Sequence, residues 1–113
     1  MEVRNCIRLG KGKGLYSLKE HNIGDIIYIL SGQILSSPTK LTIHIGNNKH
    51  ILDKYGIYMN HSNEPNIKFD GLAVIAIKKI NINDEIVFDY NDNEVNMAEP
   101  FYYNGEYICG KKN

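Results

Sequence analysis

Three short stretches of this 113-residue chain carry residue types that can bind or transform a ligand. The first is Lys11-Gly12-Lys13-Gly14, followed by Leu15-Tyr16. Two glycines one residue apart let the backbone turn sharply and approach a ligand closely, and they serve a tight hairpin equally well. A dinucleotide fingerprint would need a third glycine, a preceding strand and a following helix, and this stretch has none of them. The second is Asn60-His61-Ser62-Asn63-Glu64-Pro65-Asn66, a polar run set between Tyr58-Met59 and Ile67. A histidine flanked by amides beside apolar sequence can build a dense hydrogen-bond network, either to shape a turn or to hold a ligand. The third is Glu85-Ile86-Val87-Phe88-Asp89-Tyr90, followed by Asn91-Asp92. On a strand, Phe88 and Tyr90 lie on one face, as core aromatics or as walls of a site. His44 and His50 form no recognisable ligand spacing with His61, so no metal site is expected.

The elements that must position these residues are short strands. Leu15–Ser17, Asp25–Leu30, Ile34-Leu35, Leu41–Ile45, His50–Leu52, Leu72–Ile77 and Glu85–Tyr90 are rich in β-branched and aromatic residues. Gly46-Asn47-Asn48 predicts a hairpin turn. Their alternation is imperfect, which predicts strands buried on both faces or lying at bends. No stretch sustains a helical period for three turns. One short turn is expected over 92–98, with Asp92 or Asn93 as cap and Glu94 in the first turn. There is no internal repeat and no linker, so residues 1–113 read as one mainly β domain.

Composition bounds the rest. An apolar share of 42% supports one modest core, and a charged share of 23% is ordinary for a water-exposed surface. No apolar run approaches the roughly 20 residues of a membrane helix, so no membrane partner is expected. The start carries no apolar signal core. An intracellular setting follows as the expectation; cytoplasm, nucleus and delivery into a host are not separated. Cys6 and Cys109 read as two free thiols, too few for a four-cysteine zinc site. Net charge is zero but uneven: residues 1–50 carry seven basic against three acidic side chains, whereas residues 80–110 carry seven acids and no Lys or Arg. An acidic rim of this kind favours a basic peptide and disfavours nucleic acid, and a plain solvated surface would look the same.

Taken together and in this order, the three stretches resemble the SET-domain family of protein lysine methyltransferases. Lys11–Gly14 is similar to its opening glycine motif, Asn60–Asn66 to its Asn-His-Ser-x-x-Pro-Asn motif, and Glu85–Tyr90 to its closing Glu-[Leu/Ile]-x-[Phe/Tyr]-Asp-Tyr motif. The likeness covers about residues 3–91. It implies a β-clip fold of small curved sheets whose final segment passes under a loop as a pseudoknot, with a tail over 92–113 that closes the lysine channel. It also implies S-adenosylmethionine as methyl donor, held by Lys13, Gly14 and Leu15 through their backbone and by Asn60 and His61. Tyr90 would be the catalytic residue. Phe88 would set the number of methyl groups, leaning toward di- or trimethyl-lysine, and Tyr58, Phe101 and Tyr103 would line the channel. The implied substrate is a lysine-containing, basic protein or peptide such as a histone or ribosomal protein. A catalytically weak SET-fold module that binds a basic partner is the alternative. Pairing of two copies would complete the groove of so small a domain, and the sequence leaves a homodimer open. Three departures from the family pattern stand out: Asn63 replaces a common cysteine, the Cys-x-Cys-x4-Cys tail is absent, and the peptide-reading insert is reduced to Thr39–Ile57.

Overall fold

A computed structural model describes residues 1–5, 12–39, 41–94, 97, 100–103 and 105–110, without the side chain of Tyr103. Lys11 and Cys6 therefore lie outside the described residues. In chain order the elements are β1 (Glu2–Asn5), β2 (Lys13–Tyr16), β3 (Ile26–Ile29), β4 (Gly32–Leu35), β5 (Ile43–Gly46) and β6 (Lys49–Asp53). A 3₁₀ turn (Gly56–Tyr58) leads to β7 (Asn60–His61), β8 (Ile67–Asp70), β9 (Ala73–Ala76) and β10 (Val87–Phe88). A single helical turn, α1 (Tyr90–Asn93), precedes a hairpin of β11 (Phe101–Tyr103) and β12 (Glu106–Ile108).

The strands make five small sheets: β1-β2, β3-β9-β8, β4-β6-β5, β7-β10 and β11-β12. None of these strands exceeds five residues, so no sheet makes a core alone. Instead four of the five sheets contribute side chains to a shared apolar centre, among them Leu15, Ile43, Ile51, Ile67, Val74 and Phe88. Burial of that centre is the main favourable term, at about 25 cal/mol per Å² of apolar surface. The imperfect alternation has the physical cause expected of it. β6 buries residues of both faces, and β3 bends at a register shift between Ile26 and Tyr28. The predicted hairpin turn is present between β5 and β6. Asn47 and Asn48 both take the left-handed conformation, with φ of 51° and 57°, as a two-residue turn matched to strand twist requires.

Two local devices position the site. Asp53, at the end of β6 and 1% exposed, accepts hydrogen bonds from Tyr28 Oη (2.8 Å), Ser31 N (2.8 Å), Tyr55 N (2.8 Å) and Gly56 N (2.7 Å). One buried carboxylate thus starts the 3₁₀ turn and delivers Met59 and Asn60 at a fixed angle. The second device is the crossing of β10 and β7, the one parallel pairing among the described strands, in register Val87↔Asn60 and Phe88↔His61. The 60–66 loop clasps β10 from both ends. Ser62 N donates to Phe88 O at 3.1 Å and Asn66 N to Val87 O at 3.2 Å. The Asn66 side chain donates to Glu85 O at 2.7 Å and accepts from Val87 N at 3.0 Å.

The helix differs from the sequence expectation. It runs over Tyr90–Asn93 rather than 92–98, and Asp89 is its N-cap, its carboxylate accepting from Asn91 N at 2.9 Å. Asp89 is held extended by the strand before it, so its carboxylate reaches the first free amide before Asp92 or Asn93 can. Glu94 is not in the first turn; it follows the last helical residue in extended conformation.

Candidate active site

The two glycines of the opening motif answer different demands. Gly12 has φ +71°, a backbone conformation that side chains oppose, with open space around it. Gly14 is needed for closeness: a Cβ there would lie 2.6 Å from Glu85 Oε2 and 3.2 Å from Asn60 Nδ2. That gap lets β2 lie against Asn60, whose Nδ2 donates to Lys13 O at 3.1 Å and to Glu85 Oε2 at 2.8 Å. The opening, central and closing motifs therefore meet at the Asn60 side chain. Its Oδ1 keeps no hydrogen-bond partner among the described residues.

His61 is buried and used at both ring nitrogens. Its Nδ1 accepts the backbone N–H of Tyr90 at 3.0 Å, so in the neutral ring the proton sits on Nε2, which donates to Asn63 Oδ1 at 2.9 Å. Asn63, a departure from the family pattern, thus replaces a thiol with an amide that holds the ring. The imidazole fixes the start of α1, a positioning role.

Tyr90 follows directly. Its hydroxyl donates to Met59 O at 2.5 Å, so the phenol bridges from α1 back to the strand-entry residue beside Asn60. Burial, with the carboxylates Glu94 and Glu85 nearby, pushes the phenol well above its ordinary value. At neutral pH it is a neutral hydroxyl whose proton is committed to a carbonyl and whose lone pairs remain. The ring is packed by Phe88 (centroids 4.6 Å), by His61 (5.2 Å) and edge-on by Phe101 (5.9 Å). Phe69 in turn stands edge-on to Phe88 at 4.8 Å.

These groups border a cavity of about 500 Å³. Of the residues singled out by sequence, Asn60, His61, Phe88, Tyr90 and Phe101 line it. Lys13, Gly14, Leu15 and Tyr58 do not: Leu15 is fully buried in the core, Tyr58 packs against the core, and Lys13 and Gly14 lie beside Asn60. Tyr103 pairs with Glu106 through its backbone, and its side chain falls outside the described residues. The opposite wall is built by the short insert, with Thr39, Leu41, Thr42 and Ile43.

Four acids of the 80–110 segment accept hydrogen bonds from the protein itself, and of these Glu94 is buried. Asp84 accepts from Asn81 N, Glu85 from Asn60, Asp89 from Asn91 N and Glu94 from His44 N. The roles of Asn91 and Glu94 were beyond sequence reasoning. Their types are ordinary loop residues, and their importance depends on a crossing that has no periodic signature.

No curated protein sequence matches the chain. Solved structures do. A Chaetomium thermophilum Polycomb Repressive Complex 2 chain, in an autoinhibited conformation bound to S-adenosylmethionine, is similar over 96% of this chain and 19% of its own, with TM-score 0.71 and 15% identity. A humanized mutant of that complex bound to an inhibitor is similar over 97% and 18%, with TM-score 0.67 and 15% identity. The chain thus spans about a fifth of the length of these Polycomb chains. A Plasmodium falciparum protein described as a candidate histone methyltransferase shares 28% identity over 79% of this chain and 90% of its own, with TM-score 0.60. The family model of the SET domain matches residues 12–91, the span that holds all three motifs and the β7-β10 crossing. On its mainly β fold and on that match, the chain belongs to the SET-domain family.

Proposed function

We propose that this protein transfers methyl groups from S-adenosylmethionine to the side-chain amine of a lysine in a basic protein. The observation that carries the reading is Tyr90: a half-buried, neutral phenol with its proton spent on Met59 O, set in a cavity walled by Phe88 and Phe101. The residues beside it fit the donor. Asn60 lines the cavity, is held there by Lys13 O and Glu85, and keeps its side-chain carbonyl oxygen without a partner among the described residues, an acceptor for an ammonium group. When bound there, S-adenosylmethionine supplies an electrophilic methyl group.

The chain's own residues do the rest. A lysine must arrive as the neutral amine, and the phenol oxygen of Tyr90, with the Met59 carbonyl behind it, stabilises positive charge moving past it. Tyr90 is not the base, because burial holds its proton on. Phe88, Phe101 and Met59 exclude water and restrict the amine to an aligned approach. Phe88 is 4% exposed and brings no hydroxyl that could retain a water, which supports di- or trimethyl-lysine as product.

The test is incubation of the full chain with methyl-labelled S-adenosylmethionine and a panel of lysine-rich proteins, histones included, read by mass spectrometry. A methylated lysine that is absent with Tyr90→Phe is the expected result. Donor binding without transfer to any protein would favour the binding-module alternative. Failure to bind the donor at all would overturn the transfer reading.

A further inference from the structure

Of the acids in the 80–110 segment, Glu94 is the one that lines the cavity. It is 6% exposed. Both of its carboxylate oxygens lie within reach of His44 N, at 3.2 and 3.0 Å, and Oε2 also accepts from Asn93 Nδ2 at 2.7 Å. The same two partners are tied to each other: Asn93 Nδ2 donates to His44 O at 3.1 Å, and the His44 ring Nδ1 lies 3.1 Å from Asn93 O. Every donor to the carboxylate is a neutral amide. No Lys or Arg among the described residues comes within ion-pair distance of it.

Such a clamp between the end of α1 and β5 does not require a charge. A glutamine in this place would accept the same His44 amide with the same reach. An ionised carboxylate taken from water without a counter-ion is costly, and burial indeed pushes the Glu94 carboxyl above its ordinary value. The cost is offset when a cation enters the cavity, because the pair attracts strongly where water is excluded. The other walls near it, Leu41, Ile43, Met97 and Phe101, are apolar and suit an alkyl chain.

We infer that Glu94 is a cation-recognition site in the cavity wall, capturing the ammonium form of the incoming lysine before methyl transfer; the inference rests on the transfer reading above. A carboxylate favours the protonated amine, which is not the nucleophile. Glu94 therefore acts at capture and must release the amine on its way to Tyr90. Its contribution belongs to the ground-state complex, so its loss raises KM and kcat together and leaves kcat/KM nearly unchanged.

The test compares the wild-type chain with Glu94→Gln on a protein that the wild type methylates. The expected result is a KM raised about tenfold, the lower end for a hydrogen bond to a charged group, with kcat/KM within about twofold and donor affinity unchanged. An unchanged KM would overturn the inference, as would a fall in kcat alone. Loss of donor affinity would place the carboxylate at the donor's amine and also overturn it. If Glu94→Gln does not fold, the wild type itself supplies the test. Propylammonium, a mimic of the lysine tip, should shift the titration of the ¹³C-labelled Glu94 carboxyl downward, whereas 1-butanol should not, and no shift would sink the idea. Because that titration needs no transfer, it separates failure of this inference from failure of the methyl-transfer reading.

Discussion

The crossing of β10 with the 60–66 loop and the β11-β12 hairpin border the same cavity, yet they are built by opposite means. The crossing has redundant anchors: two strand-to-strand pairs, two further backbone bonds from the loop and the two-handed Asn66 amide, all next to buried Val87 and Phe88. Among the described residues, the hairpin's side-chain hydrogen bonds to the rest of the domain come from one residue, and buried Ile108 and the Phe101 ring add apolar packing. Asn91 Oδ1 accepts from both Cys109 N and Gly110 N at 3.0 Å, while its Nδ2 faces Tyr107 O at 3.2 Å and Glu106 Oε2 at 3.3 Å. Tyr102 and Tyr107, packed on each other across the hairpin, are 75% and 50% exposed. Groups that must stay in register with the chemistry are thus fixed by many small constraints. The hairpin is held instead by one amide and a few apolar contacts.

This contrast can be broken at several points. The largest effect is expected from Tyr90→Phe, which removes the hydroxyl held by Met59 O. Transfer should fall by about 10²–10³, the usual loss for one preorganised polar group, while the ring packing keeps thermal stability nearly unchanged. Wild-type-like transfer would show that the crossing positions a different catalytic group. Asn66→Ala comes next. It leaves Glu85 O and Val87 N without their partner, at about 1–3 kcal/mol for each buried group, and urea unfolding should register that loss globally.

Asn91→Ala should behave differently. Global unfolding should move by less than with Asn66→Ala, because two of the four bonds lost, to Glu106 and Tyr107, are exposed. Limited proteolysis within 100–110 should nevertheless accelerate severalfold. A large global loss from Asn91→Ala would erase the distinction between the two regions.

The smallest effect is a pH slope. His50 is buried with Nδ1 unpartnered, and burial together with neighbouring His44 holds its pKa below the ordinary 6.5. The unfolded chain then takes up the proton first, so its contribution is fully present above about 6.5 and is lost as pH falls toward the folded value. His21 is depressed by burial with the same sign. Replacing His50 by Phe should therefore reduce the fall in melting temperature between pH 7 and 6 without abolishing it. An unchanged slope would mean the ring reaches water.

Much of this was legible beforehand, and the reasons are specific. The Gly46-Asn47-Asn48 turn was readable because positive φ at two successive residues demands Asn or Gly. The three motifs were readable because their residues do local work that only those types perform, as Gly14 and Asn60 show. What stayed hidden was non-local. β8 alternates strictly over Ile67-Lys68-Phe69-Asp70 but is only four residues long. β7 is two residues, below any periodicity, and the parallel pairing of β7 with the expected strand around Val87-Phe88 has no local signature. The helix was placed two residues late because the cap was sought among Asp92 and Asn93, whereas the preceding strand hands the role to Asp89. The acidic 80–110 segment suggested an outward rim because composition cannot distinguish a solvated carboxylate from one that caps, clamps or reads a cavity.

The β7-β10 pairing also determines when the molecule becomes competent. Residues 60–61 wait for residues 87–88, and the cavity wall is finished only by Phe101. A nascent chain shorter than this has the sheets from β1 to β9 within reach but no binding site at all. The wall is therefore complete only once the C-terminal third of the chain has joined the earlier sheets. Partly made or partly unfolded copies lack the cavity that the proposed transfer needs, for donor and substrate alike.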